Sequence, residues 1–108
     1  MFTAVPPKVV SLANAVTNEE LADDEDYEEI LEDMREEAAR FGKVVDVHIP
    51  RPGKGGADPP GVGLVLLEFA APESALKARN AMHGRKFDSR AVEATLMLNE
   101  DYQKALGR

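Results

Sequence analysis

The side chains in this chain whose types and spacing could do chemistry are carboxylates. Glu29, Asp33 and Glu37 recur every four residues, which sets them in one row along a helix. Acids one turn apart (Glu25/Glu29, Glu28/Glu32, Glu29/Asp33, Glu32/Glu36 and Asp33/Glu37) repel by roughly 0.2–0.5 kcal/mol per pair, about 1–2 kcal/mol together. A basic partner would relieve that repulsion. The helix dipole favours acids in a first turn, which accounts for Asp23 to Asp26, but Glu29, Asp33 and Glu37 lie beyond its reach. A merely solvated charged face is the alternative account of the row. Other constellations are thinner. His48 and His83 stand far apart and read as surface or core-edge residues rather than a base or a ligand. Asp23 to Glu29 lacks the glycine and spacing of a calcium loop. Gly53-Lys54-Gly55-Gly56 lacks the Lys-Ser/Thr of a phosphate loop. No nucleophile–base pair or acid–base pair of carboxylates stands out, so no catalysis, cofactor or metal is expected.

The acids belong to a helix that must also face a core. Tyr27, Ile30, Leu31, Met34, Ala38 and Phe41 form one apolar stripe at helical spacing. Asp23 or Asp24 is the expected N-cap, and Gly42 the expected stop. Before this helix, Lys8 to Ala15 (KVVSLANA) reads as a strand behind Pro6-Pro7, and Val16-Thr17-Asn18 leads into the helix. Lys43 to Ile49 is a second strand, and Pro50 to Gly61 a polar, mobile Pro/Gly loop. Val62 to Phe69 (VGLVLLEF) is nearly all apolar, as a central strand covered on both faces should be. Pro72 opens a second helix that Gly84 ends, with Ala75, Leu76, Ala78, Ala81, Met82 and the stem of Arg79 facing the sheet. Arg85 to Arg90 is a turn, Ala91 to Met97 a fourth strand, and Asn99 to Leu106 a short Asn-capped helix. The order predicts an α+β, ferredoxin-like β-α-β-β-α-β fold. In it, two helices lie on one face of a four-stranded antiparallel sheet, with right-handed crossovers and a short C-terminal helix. The expected division is a flexible segment over 1–7 and one domain over 8–108.

Charge is unevenly placed. The 108 residues carry a formal net charge of −7, yet residues 19 to 40 hold twelve of the twenty acids and only Arg35 and Arg40 as bases. The remainder is mildly basic. Phosphate binding needs clustered Lys and Arg, so the acidic segment would repel nucleic acid and attract a basic peptide. The absence of cysteine excludes disulfides and thiolate sites and suits a cytosolic or nuclear compartment. No apolar run reaches the length of a membrane span, and the N-terminus lacks the pattern of a signal peptide.

The fold cannot decide function, but motif positions can. The first and third strands resemble the two ribonucleoprotein signatures of the RNA recognition motif family, which stacks bases on three aromatics of the open sheet face. The matching positions here are Ser11, Leu64 and Leu66, and Val62 stands where a Lys or Arg is usual. Each lost stacking platform is worth about 1–3 kcal/mol per base. The face is apolar and is read as covered by the terminal helix through Tyr102 and Leu106. If that helix frays, Leu64 and Leu66 would instead form a partner patch.

Lost stacking positions, an acidic first helix and an Arg-x-Phe triplet, Arg85-Lys86-Phe87, together resemble the U2 auxiliary factor homology motif. The runs DDEDYEEILEDMREE, IPRP (Ile49 to Pro52) and GRKF (Gly84 to Phe87) carry the likeness, which spans about residues 8 to 104. Phe87 alone would read equally well as a core-edge residue. The resemblance implies a nuclear, non-catalytic domain of pre-mRNA splicing that binds disordered Lys/Arg-rich peptides through one Trp. It implies that Phe87 stacks on the indole, that Arg85 lies over it and pairs with Glu37, and that Lys86 belongs to the same loop. Glu29, Asp33 and Glu36 would meet the basic run. Implied partners are a branch-point-binding protein and the scaffold subunit of the U2 particle. The competing expectations are a domain contacting single-stranded RNA and a self-associating module.

Overall fold

A computed structural model describes residues 6–53, 61–87 and 90–107. Ten elements follow in order: β1 (Val9–Ala13), α1 (Asn18–Ala22), α2 (Asp24–Ala39), β2 (Val44–His48), β3 (Leu64–Phe69), α3 (Pro72–Met82), β4 (Lys86–Phe87), β5 (Arg90–Ala91), β6 (Glu93–Met97) and α4 (Asn99–Ala105). The main sheet is antiparallel in the order β2-β3-β1-β6. This is the expected ferredoxin-like arrangement, with α2 and α3 against one face and α4 against the other.

Period-two alternation sorts the strands onto two cores. Val10 and Leu12 of β1, Val65, Leu67 and Phe69 of β3, and Ala94 of β6 point to the helical side. There they meet Met34 and Ala38 of α2 and Ala75, Ala78 and Met82 of α3. The stripe of α2 packs as its spacing predicts, with Tyr27, Ile30, Leu31 and Phe41 partly buried beside it. On the opposite side Val9 and Leu66 form a second cluster with Tyr102 and Ala105 of α4. The central β3 is therefore covered on both faces, which its unbroken apolar run anticipated. Gly42, the expected helix stop, does more than end α2, which is capped by Arg40. A Cβ there would lie 2.0 Å from Ser74 Oγ, so the missing side chain lets the loop close onto α3.

Several expectations need correction. The segment ahead of the acidic helix is itself a helix, α1, separated from α2 at Asp23. Its N-cap is Thr17, in a reciprocal capping box with Glu20. Where a plain turn over Arg85 to Arg90 was expected, Lys86–Phe87 pairs with Arg90–Ala91 as a two-stranded ribbon, Lys86 opposite Ala91 and Phe87 opposite Arg90; residues 88 and 89 lie outside the described residues. In α3, Leu76 is half exposed and Ala81 exposed, because their positions turn away from the stripe through Ala75, Ala78 and Met82. Asn99 does not cap α4. Leu98 is the cap residue, and Asn99 Oδ1 instead accepts from the Lys8 backbone N–H at 3.2 Å, tying α4 to the start of β1. Residues 1–5 of the expected N-terminal segment and 54–60 of the expected mobile loop lie outside the described residues.

Candidate peptide cleft

The α1–α2 junction sets the pitch of the acidic helix. Asp23 Oδ1 accepts from the N–H groups of Glu25 and Asp26, so the cap expected from sequence is in place. Arg51 then clamps the junction. Its Nε donates to Leu21 O at 2.8 Å and its Nη2 to Ala22 O at 3.3 Å, and it pairs with Asp24 at 2.8 Å. Its guanidinium lies 4.4 Å from the Tyr27 ring centre, and Tyr27 OH donates to Ile49 O at 2.9 Å. Burial raises the Tyr27 pKa, and the balance stays upward despite the opposing Arg51 charge. Ile49 and Arg51 of the IPRP run therefore hold α2 against the sheet edge.

One stripe of α2 borders a cleft. Ile30, Asp33, Met34 and Glu37, at i, i+3, i+4 and i+7, line a cleft of about 360 Å³ together with Ala15, Val16 and Lys86. Ala15 and Val16 follow Asn14, whose positive φ of 67° turns the chain out of β1. The floor is apolar, the α2 rim carries Asp33 and Glu37, and the ribbon rim carries Lys86. Arg85 pairs with Glu37 across that space, joining ribbon to helix, and Arg40 Nη1 lies 3.4 Å from the same Glu37 oxygen. Glu37 is thus already engaged by two guanidinium groups, whereas Asp33 is exposed at the mouth.

The structure places Asp33, Glu37 and Lys86 around one cleft and pairs Arg85 with Glu37 beside it. Glu29 and Glu36 are exposed on α2 and do not line the cleft. Phe87 has its backbone in β4, and its side chain lies outside what the structure describes. Sequence reasoning missed that Ile30 and Met34 floor a cleft, since helical spacing reports burial without saying what lies above it. It also missed Ala15 and Val16, which carry no signal, and Glu20, which does: Thr17-x-x-Glu20 is a capping-box pattern. His83 is a structural joint whose Nδ1 accepts from the Ala94 N–H at 3.1 Å. Among the described residues, no group of three or more His, Asp or Glu could hold a metal ion, and no helix is long and apolar enough to cross a membrane.

The sheet face opposite α2 and α3 is partly covered by α4. Leu66 is fully buried and Tyr102 is 1% exposed above it, flanked by Leu64, Met97 and Leu106. Tyr102 OH lies 3.3 Å from Asp46 Oδ2 at the far edge. The expected cover is therefore present, and Ser11, Leu64 and Leu66 offer no aromatic ring to a base.

A four-stranded sheet of this order with two helices on one side is the ferredoxin-like scaffold that RNA recognition motifs share with other domains. The family model for the RNA recognition motif matches residues 26–93, and the chain belongs to that family, which is not a family of enzymes. It is 56% identical over 91 residues to a U2af large-subunit splicing factor of Oryza sativa subsp. japonica, covering 84% of this chain and 16% of that protein. It is 49% identical over 107 residues to a U2af large-subunit splicing factor of Triticum aestivum, covering 94% and 20%. The chain thus spans a fifth or less of the length of these relatives. Among solved structures, the RNA15 RRM superposes with a TM-score of 0.62 at 19% identity over 92% of this chain and 99% of that one. The same RRM with bound RNA (GU) gives 0.59 at 19% identity, covering 87% and 86%. These two likenesses concern the fold.

Proposed function

We infer that this domain binds peptides rather than RNA, taking one Trp of a Lys/Arg-rich segment of another splicing factor into the cleft beside α2. The observation that carries this reading is the cleft itself: an apolar floor of Ile30 and Met34 under an acidic rim. An indole would bury its rings on that floor, and aromatic side chains of this size bury about 150–250 Å². Phe87, next to Lys86 in β4, is the proposed stacking partner. Arg85, anchored by Glu37, is the proposed cover. Asp33 at the mouth, with Glu29 and Glu36 further out along α2, would draw in the basic run and raise the association rate. The likeness to U2af large-subunit splicing factors supports a nuclear role in splicing. The proposed ligands are a branch-point-binding protein and the scaffold subunit of the U2 particle.

The RNA reading meets two obstacles. The sheet face has no aromatic at its three stacking positions, and its open part is lined with Glu93 and Asp101 rather than bases.

Calorimetry with a Lys/Arg-rich peptide carrying one Trp tests the proposal. The Trp peptide should bind, and the same peptide with Trp→Ala should lose about a hundredfold or more in affinity, as a single buried anchor does. Equal binding of the two peptides would refute the cleft.

A further inference from the structure

The ribbon that forms the far wall of the cleft is tied down at both strands. At the β4 end, Arg85 pairs with Glu37 of α2. At the β5 end, Arg90 Nη2 lies 3.3 Å from Glu20 Oε1 of α1, with the two side chains 30% and 35% exposed. The second tie is more than a chance surface contact, because Glu20 is held before Arg90 reaches it. Glu20 Oε1 accepts from the Thr17 backbone N–H at 2.9 Å and from the Thr17 hydroxyl at 3.0 Å, and Thr17 Oγ1 accepts from the Glu20 N–H at 3.2 Å. Thr17 directly follows Val16, which lines the cleft. Arg90 is the cross-strand partner of Phe87, and Ala91 that of Lys86. Neither Glu20 nor Arg90 lines the cleft.

We propose that Glu20 and Arg90 are positioning residues for the cleft. Their ion pair, acting through the β4–β5 pairing, sets the distance between the ribbon and α2 that an aromatic ligand side chain requires. A ribbon two residues wide on each side has little pairing of its own, and a short hairpin without packing is marginal. Its base is fixed by Val92, buried in the main core and bonded to Gly84 and Arg85, but without the Arg90 tie its strands could swing about that base. A second tie on the other strand removes that swing and leaves the wall preformed, which lowers the ordering needed on binding. The consequence for ligand rests on the peptide reading above; the tie itself does not.

The test uses the full chain and two variants outside the cleft. Glu20→Gln removes the charge but leaves a residue able to complete the capping box. Arg90→Met keeps an apolar stem. Amide hydrogen exchange reports on the ribbon through Val92 N–H, bonded to Arg85 O at 2.8 Å, and Gly84 N–H, bonded to Val92 O at 2.7 Å. Both should exchange about threefold faster in each variant, the upper part of what a partly exposed pair supplies. The β1–β3 ladder should be unmoved, and Arg90→Lys should recover most of the protection. Unchanged ribbon amides would overturn the proposal. So would a uniform acceleration that includes the ladder, since the pair would then be a general stabiliser. With the Trp peptide, both variants should bind about threefold more weakly through faster dissociation, with the salt dependence of association kept. A loss confined to association would make Glu20 part of the steering field and also overturn the positioning role. If the wild type fails to bind the Trp peptide, the peptide reading falls, and the exchange result still decides the tie.

Discussion

The sheet face and the α2 cleft are two surfaces that differ in what the chain has already placed there. On the sheet face, α4 lays Tyr102 and Ala105 over Val9 and Leu66, and the apolar surface is satisfied from within. Beside α2, Ile30 and Met34 present apolar surface to a cleft with no internal occupant among the described residues. The charges differ in the same sense. Tyr102 meets Asp46 and leaves a closed contact, whereas Asp33 stands exposed at the cleft mouth. Within one fold, then, α4 fills part of one surface, while the cleft beside α2 stays open.

The comparison breaks first if α4 is not truly docked. Tyr102→Ala removes the largest buried side chain of the second core and should lower stability by about 3 kcal/mol, limited by the free energy with which α4 docks. Urea denaturation gives the loss, and exchange of the α4 amides should rise most. An oligonucleotide titration of the same variant should stay negative, because uncovering Leu64 and Leu66 supplies no stacking ring. A neutral Tyr102→Ala would mean that the sheet face is open and the contrast false. Next in size is Phe87→Ala, which should weaken the Trp peptide by about 2 kcal/mol in calorimetry with little change in thermal midpoint. A large loss of stability instead would identify Phe87 as a core-edge residue.

What was legible in the sequence follows from which signals are local. The strands, the α2 stripe, the Asp23 cap and the Pro72 and Gly84 limits of α3 all rest on period or capping within a few residues, and they stand, except that Ala91 of the expected fourth strand pairs in the ribbon and the sheet strand begins at Glu93. The Arg85–Glu37 pair was reachable only through the resemblance, since nothing in spacing relates residues 48 positions apart. α1 was missed although Thr17 and Glu20 spelled it out, because five residues are too few to show a period. Leu76 was misplaced for a related reason. In an eleven-residue helix rich in alanine, small residues mark the packed face, and a lone leucine at its edge misleads. The ribbon escaped because two-residue strands carry no alternation. Arg51 looked like loop punctuation among prolines; only the folded chain shows it gripping the end of α1.

The cleft side of the comparison is sharpened by separating its rim from its floor. Asp33→Lys should slow association of the basic Trp peptide by about tenfold at low salt, and much less above about 0.5 M, where screening confines exposed charges to contact range. Stopped-flow rates across salt concentrations measure this. Dissociation should change little, because the indole still rests on Ile30 and Met34. A salt-independent loss would move Asp33 from the rim to the anchor.

The smallest expected effect concerns the acid limb of stability, and it compares α1 with the exposed acids of α2. Burial pushes the Glu20 carboxyl up, but the hydrogen bonds from Thr17, then the hydrogen bond and charge of Arg90, outweigh it and hold the group below its ordinary value of 4.5. A carboxyl with a lowered folded pKa contributes stability that is present above its unfolded pKa. That contribution is lost as pH falls through the folded pKa. Wild type should therefore exceed Glu20→Gln in stability near pH 6 by under about 1 kcal/mol, as befits a pair this exposed. The margin should shrink once pH drops below about 4.5 and vanish at the most acidic pH the fold survives. Thermal melts of both proteins at stepped pH measure the margin directly. A gap that stays constant on acidification would show that Glu20 acts through shape alone, and that the charge shared with Arg90 contributes nothing to holding the ribbon.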